Sequence, residues 1–179
     1  MEALPQTRLY TGKFLALIQE GHWEYVDRPN ATGAVLLVAV SEAQKVLLVE
    51  QYRIPIHART IELPAGLIGD DSGSAKESAL AAARRELLEE TGYAAGQLEQ
   101  LTHGPACSGM GTEISTFFYA TKLQRIGAGG GVAREAITVH EVSLAEVHAW
   151  LEARARSGVM IDPKVYAGLY FILHRQRFV

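Results

Sequence analysis

The sequence has a single cysteine, Cys107, and no run of apolar residues long enough to span a membrane. One cysteine excludes an internal disulfide framework and suits a reducing compartment, so we expect a cytoplasmic protein. The N-terminus lacks a basic segment followed by an apolar core, which predicts that there is no signal peptide. A net charge of −3 gives no electrostatic reason to expect a nucleic-acid or membrane partner.

What the chain does have is the composition of an ordinary globular domain. Hydrophobic residues make up 48% and charged residues 21% of its 179 residues, which is enough to build a substantial core. No repeat or low-complexity segment divides the sequence. We therefore expect one domain over residues 1–179, in which residues 1–30 form an N-terminal strand hairpin.

Apolar patterns predict a mixed β-sheet with helices packed against it. Residues 33–40 and 45–52 are aliphatic runs and are interpreted as a buried central hairpin. Residues 9–19 and 22–28 are interpreted as two earlier strands, joined by a turn at Gly21. Predicted strands and helices alternate along the rest of the chain, which is typical of the α/β class.

Two helices are predicted near the C-terminus, because each has residues that favour the start of a helix. Ser143 has Glu146 three residues after it, the spacing of a capping box, and the helix would run to about Arg156. Asp162 is followed by Pro163, which is favoured at the first position of a helix.

The segment richest in candidate functional residues is a third predicted helix, residues 77–92. Ser74 is its predicted N-cap, with Glu77 at capping-box spacing. Gly92 follows the last turn, where a left-handed C-cap residue belongs. Leu80 is on the side of this helix that can be buried.

Three carboxylates on this helix, Glu86, Glu89 and Glu90, fall within an arc of about 100°. Like charges this close repel one another. A hard divalent cation with oxygen ligands, Mg²⁺ or Mn²⁺, would relieve that repulsion. The alternative is a solvated helix face with Arg or Lys side chains nearby.

Several residues before the helix are candidates for the same site. Arg53 ends a predicted strand and is well shaped for bidentate phosphate contact, or else it forms a surface salt bridge. Gly66 allows close backbone approach, so the carbonyl of Ala65 could face the cation. Glu62 either orients a ligand or pairs with an arginine such as Arg59.

Four further side chains are candidates for the site, and the first three have two interpretations each. Trp23 and Tyr25 would stack on a planar base, or pack on the core or on a second subunit. Glu113 follows a small-residue loop and either reaches a ligand or ends an ordinary glycine turn. Glu135 follows a glycine-rich segment and is a candidate carboxylate delivered by a mobile lid.

The order of residues in the acidic helix resembles the sequence box of the Nudix hydrolase family. It consists of Glu77, seven residues, and then Arg85-Glu86-Leu87-Leu88-Glu89-Glu90-Thr91-Gly92-Tyr93. The counterpart of the family's leading glycine is Gly66, which implies five extra residues within 68–76. The resemblance implies a Nudix-type α/β/α sandwich with a mixed β-sheet.

Outside the box, the chain from about Trp23 onward is similar to ADP-ribose and other nucleoside diphosphate sugar pyrophosphatases. Those enzymes use Mg²⁺ to split ADP-ribose into AMP and ribose 5-phosphate. They are typically homodimers in which N-terminal strands of one subunit complete the adenine site of the other. The resemblance therefore implies a nucleotide-sugar substrate and a homodimer, with Trp23, Tyr25, Glu62 and Glu113 at the substrate.

The resemblance also implies which residues hold the metal. Glu86, Glu90 and the carbonyl of Ala65 would share one Mg²⁺, and Glu89 would bind or bridge a second ion. The structural residues of the box would be Gly66, Glu77, Arg85 and Gly92.

Two residues outside the helix complete the implied machinery. Arg53 would hold the diphosphate, and Glu135 would act as general base on the attacking water or as a ligand to it. The catalytic candidates are thus Arg53, Glu89 and Glu135.

Three functions remain open at this point. The first is Mg²⁺-dependent hydrolysis of a nucleoside diphosphate sugar, with ADP-ribose as the leading substrate. The second is Nudix hydrolysis of a dinucleotide or a noncanonical nucleoside triphosphate. The third is a nucleotide-sensing module without turnover, against which the complete set of helix glutamates argues.

Overall fold

The computed structural model describes residues 4–69, 77–132 and 136–174. Within these residues the chain forms strands, three α-helices and a short 3₁₀ turn at Ile54–Ile56. The strands are β1 (Gln6–Thr11), β2 (Ala16–Glu20), β3 (Trp23–Asp27), β4 (Ala34–Ala39), β5 (Lys45–Arg53), β6 (Ala58–Glu62), β7 (Ala65–Leu67), β8 (Tyr93–Pro105), β9 (Ile114–Arg125), β10 (Thr138–Ser143) and β11 (Met160–Ile161). The helices are α1 (Ala79–Thr91), α2 (Val147–Arg156) and α3 (Pro163–Leu173).

The strands form three sheets. Two are four-stranded, in the orders β10-β5-β6-β11 and β7-β4-β9-β8, and β1-β2-β3 form a separate three-stranded sheet. Both larger sheets are mixed, because β4 pairs in parallel with β9 and β11 pairs in parallel with β6, whereas the other pairs are antiparallel.

Strand β4 separates two hydrophobic cores. Its side chains point alternately to opposite faces, so Leu36 and Val38 pack in a core with residues of α2 and α3. Val35 and Leu37 pack in a second core with residues of α1. The predicted α/β/α architecture with a mixed sheet is confirmed.

Two strand predictions are wrong. Residues 9–19 are not one strand, since the chain turns at Gly12, whose N–H donates to the carbonyl of Leu15, and returns as β2. Residues 33–40 and 45–52 are not paired as one hairpin. Both edges of β4 are occupied by β7 and β9, so β5 joins the other sheet, and only Val40 and Val46 bridge the two strands.

Helix α1 begins later than predicted, and Ser74 lies outside the described residues. Its N-cap is Ser78, whose hydroxyl accepts from the N–H of Ala81. Gly92 is the left-handed C-cap, as predicted, with φ of 77°. Leu80, expected on the buried side, is 44% exposed.

The two C-terminal helices differ in how well their starts were predicted. Ser143 does not cap α2, because β10 continues through Ser143 and pairs it with Lys45. Asp162 does cap α3, since its carboxylate accepts from the N–H of Lys164 and Pro163 occupies the first turn. No helix in the described ranges is long and apolar enough to cross a membrane.

Candidate active site

A cleft of about 720 Å³ is lined by residues of both four-stranded sheets and of α1, a size that suits a nucleotide-sized ligand. Predicted site residues that line it are Arg53, Glu62, Ala65, Gly66, Glu86, Glu90 and Glu113. Residues without a predicted role also line it, including Arg28, Gln51, Thr60, Met160, Asp162 and Lys164.

Two carboxylates of α1 contact the backbone of β7. The carboxylate of Glu90 accepts a 2.9 Å hydrogen bond from the N–H of Ala65. The carboxylate of Glu86 lies so close to Gly66 that an added Cβ would be 1.8 Å from its Cδ. Glycine at position 66 is therefore needed for the close approach of the Glu86 carboxylate.

Arg85 connects the helix to the segment after β7. Its Nε and Nη2 donate to the two oxygens of Glu77 at 3.0 and 3.1 Å, and Nη2 also donates to the carbonyl of Leu67 at 3.0 Å. Its Nη1 donates to Glu86 at 2.7 Å and to Glu89 at 3.2 Å. These contacts place Arg85 among the acidic side chains of the helix.

The charges of this network shift the pKa of its members. The pKa of Arg85 is raised, first by its hydrogen bond to Glu77, although burial opposes the shift. The pKa of Glu77 is lowered, first by Arg85 and also by the N–H of Gly69, which donates to it at 3.1 Å. Glu77 therefore stays ionised and ties the segment after β7 to the helix.

Arg53 and Glu62 form a bidentate ion pair on the cleft wall. The Nε and Nη2 of Arg53 donate to the two oxygens of Glu62 at 2.7 and 2.5 Å. The pKa of Arg53 is raised, first by Glu62 and also by the charges of Glu90 and Asp162. Since Glu62 uses two of the five guanidinium N–H donors, Arg53 keeps capacity for a ligand anion.

The alternative that Glu62 pairs with an arginine is confirmed, but that arginine is Arg53 and not Arg59. Residues 59 and 62 point to opposite faces of β6, and the Nε of Arg59 donates to Glu50 at 2.5 Å. Glu50 is 5% exposed and also contacts Nε2 of His140 at 2.9 Å and Nη2 of Arg154 at 2.5 Å. Burial acts to raise the pKa of Glu50, but Arg59, His140 and Arg154 together lower it.

Sequence reasoning missed two further ion pairs of the cleft. Arg28 donates through Nε to Glu113 at 2.7 Å, which joins residues 85 positions apart. Lys164 contacts Asp162 at 2.6 Å. Neither Arg28 nor Lys164 belongs to a local motif, and only the fold brings Arg28 to its partner.

Three predicted residues do not line the cleft, and a fourth is not described. Trp23 is 53% exposed on β3 and does not line the cleft. Tyr25 is also outside it, and its hydroxyl donates to Glu20 at 2.9 Å, which raises the pKa of Tyr25. Glu89 contacts Arg85 but does not line the cleft. Glu135 lies outside the described residues, as do Asp70, Asp71 and most of the extra loop.

The helix and β7 provide donors that fit a hard divalent cation. The available ligands are carboxylate and carbonyl oxygens, the type that Mg²⁺ and Mn²⁺ prefer. The absent Cβ of Gly66 leaves room for the Glu86 carboxylate beside β7. Within the described ranges, however, no group of three or more His, Cys, Asp or Glu side chains is already gathered as a metal cluster.

Comparison with known proteins adds a family match. The NUDIX domain model matches residues 30–161. The chain is 39% identical over 127 residues to a GDP-mannose pyrophosphatase of Enterobacter sp. (strain 638), a match that covers 66% of this chain but only 62% of that protein. It is 29% identical over 164 residues to an ADP-ribose pyrophosphatase of Bacillus subtilis (strain 168), covering 86% of this chain and 84% of that protein.

The fold also has a solved counterpart. The crystal structure of an ADP compounds hydrolase superposes with a TM-score of 0.72 and covers 98% of this chain and 94% of its own. The two sequences are 19% identical, so this likeness is one of fold.

Proposed function

Because the chain belongs to the NUDIX domain family, we propose that it hydrolyses the diphosphate linkage of a nucleoside diphosphate sugar with Mg²⁺. ADP-ribose is the first candidate substrate, with AMP and ribose 5-phosphate as products. The observation that carries the proposal is that one cleft contains both an arginine, Arg53, and the carboxylates Glu86 and Glu90. The negative carboxylates are then available for the metal ion, and the positive guanidinium is available for the diphosphate.

Residues of the cleft and of α1 would share the steps of hydrolysis. Glu86, Glu90 and the carbonyl of Ala65 would hold the cation, and Glu89, which does not line the cleft, would bind a second ion beside it. The chemistry that Mg²⁺ would supply at these residues is neutralisation of the diphosphate charge and a lower pKa of the attacking water. Arg53 binds phosphate oxygens, and Glu62 fixes the plane of its guanidinium through two hydrogen bonds.

The attacking water needs a base, and Glu135 is the candidate for this role. Its placement in the chain, after a glycine-rich segment, supports delivery of the carboxylate when substrate binds. The change Glu135→Gln should lower kcat by at least 100-fold with little change in KM. An unchanged kcat would transfer the role to another glutamate, with Glu89 the first to test.

Glu113 and Arg28 support a second contact with the substrate. Their ion pair lines the cleft on the β9 side, apart in sequence from Arg53. Trp23 and Tyr25 do not reach the cleft of their own chain, so a base-stacking role for them depends on a second subunit.

GDP-mannose is a second candidate substrate, supported by the name of the Enterobacter relative. The test is a panel of ADP-ribose, ADP-glucose, GDP-mannose, NADH, diadenosine polyphosphates and nucleoside triphosphates, assayed with Mg²⁺ and with Mn²⁺. Turnover restricted to nucleotide sugars supports the proposal. Turnover of dinucleotides or triphosphates alone contradicts it, and no turnover would favour a sensing module.

We also propose a cytoplasmic homodimer. All six residues of β1 are exposed, and Tyr10 and Trp23 of the N-terminal sheet and Phe14 of the β1–β2 turn are each more than half exposed. Large apolar groups on an exposed sheet support burial against a second copy. Sedimentation velocity should show a dimer that Tyr10→Asp weakens, whereas a monomer at all concentrations would contradict the proposal.

A further inference from the structure

Thr60 is a buried residue of the cleft whose hydroxyl has no hydrogen-bond partner. It is 6% exposed and lines the cleft from β6. Over the described ranges, its Oγ1 is one of two buried side-chain polar atoms without a partner. A buried hydroxyl without a partner is destabilising, so its presence in a ligand-sized cleft points to a partner that arrives with the ligand.

Thr60 and Gln51 form a polar strip across two strands of the sheet. They lie directly opposite each other on β6 and β5, the apolar Met160 is opposite Thr60 on β11, and all three line the cleft. Directly opposite residues of an antiparallel pair have Cβ atoms about 5 Å apart on the same face. A ligand group that reaches Thr60 is therefore also close to the amide of Gln51.

The strip lies beside the phosphate-binding arginine. Glu62 follows Thr60 by two residues on the same face of β6, a distance of about 7 Å along the strand, and Glu62 holds Arg53. The guanidinium of Arg53 is influenced by both Glu90 and Asp162. A diphosphate at Arg53 would thus have the metal-binding carboxylates on one side and the polar strip on another.

The chemistry of the strip suits a sugar better than a base. A threonine hydroxyl and a glutamine amide both donate and accept hydrogen bonds, which matches sugar hydroxyls. No aromatic residue is among the described residues that line the cleft, so a stacked base has no platform there. Rotation about the Cα–Cβ bond of Thr60 by about 120° moves its hydroxyl to the position now held by its methyl group or its Cβ hydrogen, which lets the hydroxyl turn toward a ligand.

We propose that Thr60, together with Gln51, binds hydroxyl groups of the sugar attached to the diphosphate and so helps to select nucleotide sugars. This inference rests on the proposed hydrolytic function. Thr60 is a specificity residue in this role and does not touch the bond that breaks.

The test compares Thr60→Val, which removes the hydroxyl at constant shape, with Thr60→Ser, which keeps it. Substrates are ADP-ribose, GDP-mannose and the β-methyl ester of ADP, which has the same linkage without a sugar. For the better nucleotide sugar, Thr60→Val should lower kcat/KM about fivefold to tenfold, mainly through KM. In the same variant, kcat/KM for the methyl ester should change less than twofold. Thr60→Ser should keep kcat/KM values near those of wild type.

Thr121→Val is the matched control, since Thr121 is a strand threonine of β9 that does not line the cleft. Thr121→Val should leave kcat/KM unchanged for all three substrates. The melting temperature of Thr60→Val should be equal to or above that of wild type, because an unpartnered buried hydroxyl has been removed.

The outcomes separate this inference from the proposed function. Wild-type turnover of nucleotide sugars with equal losses for sugar and methyl ester in Thr60→Val would overturn the sugar contact and leave the function intact. An unchanged kcat/KM for the nucleotide sugar in Thr60→Val would also overturn the sugar contact and leave the function intact. A wild-type protein that hydrolyses neither nucleotide sugars nor the methyl ester would overturn both.

Discussion

Replacing Gly66 by alanine should disable cation binding while leaving the chain folded. The new Cβ would lie 1.8 Å from Cδ and 1.9 Å from Oε1 of Glu86. Non-bonded carbon atoms are normally about 3.5–4.0 Å apart, so the carboxylate must move by about 2 Å. A misplacement of about 1 Å at a catalytic group can already cost about 100-fold in rate. We therefore expect at least a 100-fold loss of kcat/KM and a higher Mg²⁺ concentration for half-maximal activity.

The change in folding should be small, because the clash involves the end of a flexible side chain. Overpacking costs about 1–3 kcal/mol, and we expect the lower end of that range in urea unfolding. Gly104→Ala is the matched control, since Gly104 is also a strand residue without positive φ and nothing lies within 4 Å of its Cβ position. Gly104→Ala should retain wild-type activity.

A double-variant cycle tests whether the loss passes through Glu86. If it does, Gly66→Ala should add little to the loss already caused by Glu86→Gln. Wild-type activity and Mg²⁺ dependence in Gly66→Ala would refute the reasoning. A full additional loss in the double variant would show that the alanine acts elsewhere.

Three further predictions concern charged residues. Glu90→Gln should abolish Mg²⁺-dependent hydrolysis without changing the far-UV circular dichroism spectrum, and undiminished activity would refute its metal role. Arg53→Lys should lower kcat/KM about 10- to 100-fold, mainly through KM, because lysine cannot present the bidentate fork held by Glu62; an unchanged KM would contradict this. Glu50→Gln should destabilise the protein by about 2 kcal/mol at neutral pH, because the hydrogen bonds of Arg59 and Arg154 to a buried anion are weakened. Since the pKa of Glu50 is lowered from 4.5, its stabilisation is present above that pH and is lost as the pH falls through the lower folded value. The unfolding free energies of wild type and Glu50→Gln, measured from pH 3 to 7, should therefore become equal in acid. A difference that stays constant with pH would refute the role of the Glu50 charge.

Local sequence signals predicted the parts of the fold that depend on local chemistry. The spacing of Glu86 and Glu90 predicted carboxylates on one helix face, and the structure places both in one cleft. Gly92 ends α1 because the C-cap requires a positive φ, and Asp162 with Pro163 begins α3 because both residues suit a helix start. These features depend on residues within about one helical turn of each other.

The features that could not be predicted depend on contacts between distant residues. Which arginine pairs with Glu62 is decided by strand faces, since Arg53 is across the sheet on the same face whereas Arg59 points away. Arg28 meets Glu113 only because β3 lies near the loop before β9, as the bridge between Val26 and Gly111 shows.

The three residues of β7 fix the position of α1 relative to the sheet. The N–H of Ala65 is bound by Glu90, Gly66 packs against the carboxylate of Glu86, and the carbonyl of Leu67 is bound by Arg85. On its other edge β7 pairs with β4, so the same carboxylates that are proposed to bind metal also align helix and sheet. This double role decides which substitutions are informative.

Glutamine at position 90 keeps an oxygen that can accept from the N–H of Ala65, so it removes the charge and retains the alignment. Alanine would remove both, and its effect on activity would mix loss of a ligand with a shift of the helix. The two variants together separate these contributions. If Glu90→Gln is inactive at wild-type stability while Glu90→Ala is also destabilised, the Glu90 carboxylate serves the metal through its charge and the fold through its hydrogen bond.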